Sequence, residues 1–179
     1  MNAVAVFLGA KNAENARYRQ AVMALVDAFS AYKLALIYGG SNTGLMKVLA
    51  DNAIAQGVNV TGVYVDVLAK HESPHEKLHQ LYVVDSMHQR KSKMAQLADG
   101  FIAFPGGIGT LEEFFEVYTW ARLGLHHKPV GILNVDGYFD ALLAFLDHSV
   151  EEGFLDTPSR EILIVESDPK LLLQRMINT

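Results

Sequence analysis

Short apolar runs and longer amphipathic stretches alternate along the whole chain. Seven runs have strand length: Ala3–Leu8, Leu34–Tyr38, Val58–Val63, Leu81–Val84, Gly100–Phe104, Val130–Leu133 and Ile162–Val165. Between them, apolar positions at helical spacing predict helices over Asn15–Tyr32, Leu45–Gln56, Met87–Ala98, Thr110–Leu123, Tyr138–Glu152 and Pro169–Ile177. The strand runs are rich in Val, Ile and Leu without strict polar alternation, the pattern of strands covered on both faces. Alternation of strand and helix then predicts a parallel sheet of about seven strands with helices on both sides. The expected fold class is α/β, a Rossmann-like doubly wound sheet, in a single domain over residues 1–179.

Ligands of such sheets bind beyond the carboxyl ends of the strands. Two of these ends carry glycine-rich turns that lead into helices: YGGSNTGLM, with Gly39, Gly40 and Gly44, and FPGGIGTLEEF at residues 104–114. Glycine lets backbone approach a ligand closely, and a helix N-terminus offers free amides that favour phosphate. A tight strand–helix turn needs glycine for its own geometry as well, so either turn alone leaves both readings open. The common nucleotide motifs do not fit. GGSNTGLM has P-loop glycine spacing, but Leu45-Met46 stands where Lys-Ser/Thr is required. PGGIGTLE fails G-x-G-x-x-G, because Glu112 holds the third glycine position.

Composition narrows the classes further. A net charge of −5 argues against a nucleic-acid binder, which would carry a basic footprint. With no cysteine there are no disulfides, thiolate metal sites or thiol nucleophiles. AVAVFL is too short for a signal peptide and has no basic lead, and no run approaches a membrane span. A cytoplasmic protein with no membrane partner is expected.

Charges on two of the helices stand out. In MHQRKSKMAQLA, Met87, Met94 and Leu97 form an apolar stripe, and Arg90 lies on it at i+3 from Met87. An arginine pointing inward either meets an anion or carboxylate, or snorkels out. Lys91 and Lys93 fall to either side. In the helix after the second turn, Glu112 and Glu116 are i, i+4 partners on the wetter face. Glu113, about 100° away, shares its side with Val117 and Trp120. Thr110 and Glu113 also match a capping box, in which Glu113 would serve only backbone amides. Pro74 predicts a helix start, placing His75 and His79 at i, i+4 on one face without a third metal ligand. No metal is expected. Residues 134–138, NVDGY, read as a strand end turning into a helix cap.

Together, Arg90-Lys91 on one helix, Pro105–Glu113 (PGGIGTLEE) at the head of a later one, and the YGG…GLM turn resemble the LONELY GUY (LOG) family, over nearly the whole chain. That resemblance implies a phosphoribohydrolase. Such an enzyme cleaves the N-glycosidic bond of nucleoside 5′-monophosphates, notably cytokinin nucleotides and in some members AMP, to free base and ribose 5-phosphate. It implies no cofactor, and a homodimer with sites near the subunit contact. Carried over by motif, Arg90 and Glu113 match the catalytic pair, and Lys91, Gly107, Ile108, Gly109, Thr110 and Thr119 the substrate-binding positions. Glu72, in HESPHEKL, matches a further contact. Gly39 and Gly40 of the first turn and Met87 at the head of the Arg90 helix complete the expected set. The chain departs from the family at Ile108, where Tyr is common, at Ser41, where Gly is common, and at Leu8-Gly9-Ala10, where Cys-Gly-Ser is common. Two other readings keep the fold: a general AMP nucleosidase with no hormone role, and a non-enzymatic carrier of a phosphorylated ligand. Family members have also been described as lysine decarboxylases, but nothing here marks a Schiff-base lysine with its partners.

Overall fold

The structure is a computed structural model that describes residues 1–11, 14–66 and 73–179. The chain runs β1 (Ala3–Phe7), α1 (Ala16–Tyr32), β2 (Ala35–Tyr38), α2 (Gly44–Ala55), β3 (Val60–Val65), β4 (Gln80–Val84), α3 (Met87–Leu97), β5 (Gly100–Ala103) and α4 (Ile108–Arg122). It continues through β6 (Val130–Leu133), α5 (Asp140–Glu151), α6 (Thr157–Glu161), β7 (Leu163–Glu166) and α7 (Pro169–Ile177). All seven strands join one parallel sheet in the order β4-β3-β2-β1-β5-β6-β7. The doubly wound α/β fold expected from the sequence is the fold observed.

The central strands are apolar throughout because their alternate residues serve two cores. Val4, Val6, Leu36 and Tyr38 face the side that holds Leu25, Phe29, Leu49 and Leu172 of α1, α2 and α7. Ala5, Phe7, Ile37 and Phe101 face the side that holds Met94, Phe114 and Leu146 of α3, α4 and α5. β4 departs from the expectation of strands covered on both faces. It is an edge strand, and its Val83 is 58% exposed.

The chain walks outward from β1 to β4, then returns to the other side of β1 as β5, paired from Val4↔Gly100 to Phe7↔Ala103. The connections diverge at this switch point and leave a crevice beyond the carboxyl ends of β1 and β5. Four of the seven α-helices described begin with a side-chain cap. Asn15, Ser86, Asp156 and Asp168 accept from backbone amides one turn in. α2, α4 and α5 begin at Thr43, Gly107 and Phe139 with no side-chain cap, and the first two of these start at the crevice.

Two local expectations are corrected. Residues 73–79 form no helix. Pro74 bridges Ser41, and His75 N–H donates to the Gly40 carbonyl at 2.9 Å, so the segment straps the first glycine turn. His75 and His79 therefore share no helix face. His75 is buried with Nε2 3.0 Å from Asp51, while His79 Nδ1 accepts from Val60 N–H at 3.1 Å. The capping box is absent because α4 begins two residues before Thr110. The Thr110 side chain packs on Gly106 instead.

Candidate active site

A cleft of about 520 Å³ occupies the switch point, walled by the ends of β1, β2 and β5 and the starts of α2 and α4. Arg90 and Glu113 both line it, as do Gly107 to Thr110 of the second turn, with Gly39 and Met87. Gly40, Lys91 and Thr119 do not. Gly40 packs beside Tyr64, and Thr119 is exposed on α4 two turns past Thr110. Glu72 lies outside the described residues.

Arg90 reaches inward from α3 one turn before the buried Met94. Its Nε donates to the carbonyl of Val63 in β3, 3.0 Å away. Its Nη1 donates to Glu113 Oε1 at 2.6 Å. Nη2 lies beside Gly39, where any Cβ would overlap it, so glycine at 39 is what admits the guanidinium. No partner for Nη2 occurs among the described residues. Both side chains are more than nine-tenths buried. Burial pushes the Glu113 carboxyl above the ordinary glutamate range, and the Arg90 charge pulls against that rise without cancelling it.

The second turn is open in a way packing does not demand. A Cβ at Gly107 or Gly109 would meet no protein atom within 4 Å, although both residues line the cleft. The amides of Gly107, Ile108 and Gly109 find no acceptor among the described residues, as expected of an uncapped helix start. The arrangement sets free donors and a helix dipole in the same cleft as a carboxylate with a forked cation.

Beside this pair, Lys91 Nζ binds Glu112 Oε1 and, at 3.0 Å, Glu116 Oε1. Glu116 Oε2 is buried without a partner among the described residues. No three His, Asp or Glu side chains gather as metal ligands among those residues. The sequence reading missed the apolar and aromatic wall of the cleft: Leu8, Tyr18, Leu45, Met46 and Tyr138. Leu45 and Met46 sit in a turn already singled out, where their apolar character was the available signal. Tyr18 and Tyr138 carry none, because their roles arise from packing between distant segments.

A family profile described as "Possible lysine decarboxylase" matches residues 46–176. Cytokinin riboside 5′-monophosphate phosphoribohydrolase LOG4 of Arabidopsis thaliana is 42% identical, over 97% of this chain and 80% of its own length. Its counterpart LOG7 of the same plant is 41% identical over the same shares. The chain belongs to the LONELY GUY (LOG) family. Among solved structures, the molybdenum cofactor binding protein of Rippkaea orientalis superposes with a TM-score of 0.72 at 20% identity, over 99% of this chain and 98% of that one. The molybdenum cofactor carrier protein of Chlamydomonas reinhardtii does so with a TM-score of 0.71 at 16% identity, over 99% of both. At those identities the likeness is one of fold, and the LOG relatives alone bear on chemistry. No helix among the described residues is long and apolar enough to cross a membrane.

Proposed function

We propose that this LOG-family protein hydrolyses the N-glycosidic bond of adenine-type nucleoside 5′-monophosphates, N6-modified cytokinin nucleotides in particular, to free base and ribose 5-phosphate. The observation that carries the reading is the buried contact between Arg90 and Glu113 in the wall of a cleft that an uncapped glycine turn also lines. Breaking the C1′–N bond sends its electron pair to the base and leaves positive charge on the sugar. Water supplies the oxygen that bonds to C1′, and the departing base nitrogen takes up a proton. Glu113 faces the sugar, stabilises its oxocarbenium character, orients the water and accepts its proton. Arg90 holds that carboxylate in place with one nitrogen and offers Nη2 to the ribose hydroxyls or base. The free amides of Gly107 to Gly109 and the Thr110 hydroxyl hold the 5′-phosphate, binding energy remote from the scissile bond.

The apolar wall supports a planar base with a hydrophobic N6 group, and Met46 and Met87 are adaptable enough to fit one. Ile108, 83% exposed at the cleft rim, is an apolar side chain that a second subunit would cover, in keeping with a homodimer. A cytoplasmic location belongs to the same proposal. Incubation with AMP and with N6-isopentenyl-AMP, followed by chromatography for free base and ribose 5-phosphate, tests it. Both products are expected, with the prenylated nucleotide favoured about 10–200-fold in kcat/KM if the apolar wall discriminates. Equal use of the two nucleotides would give a general AMP nucleosidase. Binding without release of base would give a carrier.

A further inference from the structure

We infer that Tyr138 is a positioning residue for the second glycine turn, its hydroxyl fixing the plane of the Gly106–Gly107 peptide. The inference rests on the reading that this turn receives the 5′-phosphate. Tyr138 Oη donates to the Gly106 carbonyl at 2.6 Å. In a trans peptide the C=O and the following N–H point opposite ways in one plane. Holding the Gly106 carbonyl therefore aims the Gly107 N–H, the first free amide of the turn. The neighbouring carbonyl, Pro105, accepts from Gly9 N–H at 3.2 Å and sets the Gly106 amide in the same manner. Both carbonyls are thus engaged, and neither is left to repel an anion. Gly107 has no side chain and no neighbour against which a Cβ could pack, so its orientation depends on such outside bonds.

Core packing does not account for Tyr138, which is 44% exposed in the cleft wall. The chain accepts strain to bring it there. Asp136 adopts φ 48, ψ 38, left-handed for a residue other than glycine, and Gly137 follows at φ 71. Asn134 ties the segment down from outside: its Oδ1 accepts from Phe139 N–H at 2.8 Å, and its Nδ2 donates to Asp140 at 2.7 Å. The Tyr138 ring stands edge-on to the buried Tyr18 at 6.0 Å, a contact that restrains its direction in the cleft wall.

Tyr138→Phe keeps the ring and removes the hydroxyl. We expect KM for AMP and the inhibition constant of ribose 5-phosphate to rise together by about three- to tenfold, the loss of one hydrogen bond. The loss should fall in KM rather than kcat, and inhibition by adenine should not change. Unchanged affinity for ribose 5-phosphate overturns the inference. An equal loss of adenine affinity also overturns it, because that is general damage to the cleft. If the wild-type protein releases no base from any nucleotide, the hydrolase reading fails instead. Calorimetric titration of both proteins with ribose 5-phosphate then still decides on Tyr138, and absence of binding to the wild-type protein sinks the inference as well.

Discussion

Arg90 and Lys91 are consecutive on α3, and Glu112 and Glu113 are consecutive on α4, yet the two cross-helix pairs they form are different objects. One residue of rotation, about 100°, separates them on each helix. Arg90 and Glu113 point into the cleft, with side chains 9% and 8% exposed. Lys91 is equally covered, but its partners Glu112 and Glu116 are 49% and 24% exposed. A pair covered on both sides lies in a low effective dielectric, where a misplaced charge is costly and a well-placed one acts strongly on a substrate. A pair with one wet side gains little more than a surface ion pair. The inner pair is therefore suited to chemistry, and the outer to fastening α3 against α4.

Glu113→Gln against Glu112→Gln breaks the comparison most sharply. The first keeps size and removes the charge that would serve the sugar, and kcat/KM for the nucleotide should fall by about 10²–10⁴. The second removes one wet partner of Lys91 and should stay within about fivefold of wild type. Equal losses in steady-state assays on folded protein would erase the distinction. The pH profile adds a direction. Burial raises the Glu113 carboxyl, Arg90 opposes the rise, and Glu112 adds to it. Activity needs the carboxylate, so it is lost as pH falls through that raised value. The acid limb of kcat/KM should lie above the ordinary glutamate value of about 4.3. In Glu112→Gln it should move down, because a like charge has gone.

The next effect is on stability. Arg90→Met leaves Glu113 buried without its counter-charge and should cost about 3–5 kcal/mol in urea unfolding at neutral pH. Adding Glu113→Leu should return much of that, since two apolar residues in the same space carry no unpaired charge. A double variant no more stable than Arg90→Met would mean that the damage is packing rather than charge.

Part of this pairing is legible in the sequence, because the helical period alone decides it. Arg90 falls on the Met87–Met94–Leu97 stripe, and Glu113 falls off the face shared by Glu112 and Glu116. The central strand runs are legible through apolar residues on both faces, but the same pattern in Leu81–Val84 belongs to an exposed edge strand. Other features depend on what packs against what. Lys91 meets acids 21 and 25 residues away only because α3 lies along α4. Its own helix shows an amphipathic flank and nothing more. Pro74 carries a helix-start signal, but the amide of His75 is taken by the Gly40 carbonyl, and that tertiary bond outweighs propensity. α6 has five residues, too few for a period to show. Residues 134–138 are readable as a turn, but the reach of Tyr138 to Gly106, 32 residues back, is set by left-handed backbone at Asp136 that composition does not announce.

The smallest effect sharpens the comparison from the outer side. Burial lowers the Lys91 ammonium, but Glu112 and Glu116 together outweigh it, so the group lies above the ordinary lysine value. A raised lysine contributes stability that is whole below its unfolded value and disappears as pH rises through the folded one. Lys91→Met should therefore cost about 1 kcal/mol at neutral pH, discounted for the exposed carboxylates, with the gap from wild type closing only under strongly alkaline conditions. Lys91 also lowers the Glu113 carboxyl from a distance. Its removal should shift the acid limb of kcat/KM upward, opposite in sign to Glu112→Gln. Opposed shifts with little change in the plateau would mean the outer pair tunes the inner one through space. A collapse of the plateau in Lys91→Met would instead make Lys91 part of the substrate site, as the family resemblance implies, and the division between the two pairs would fall.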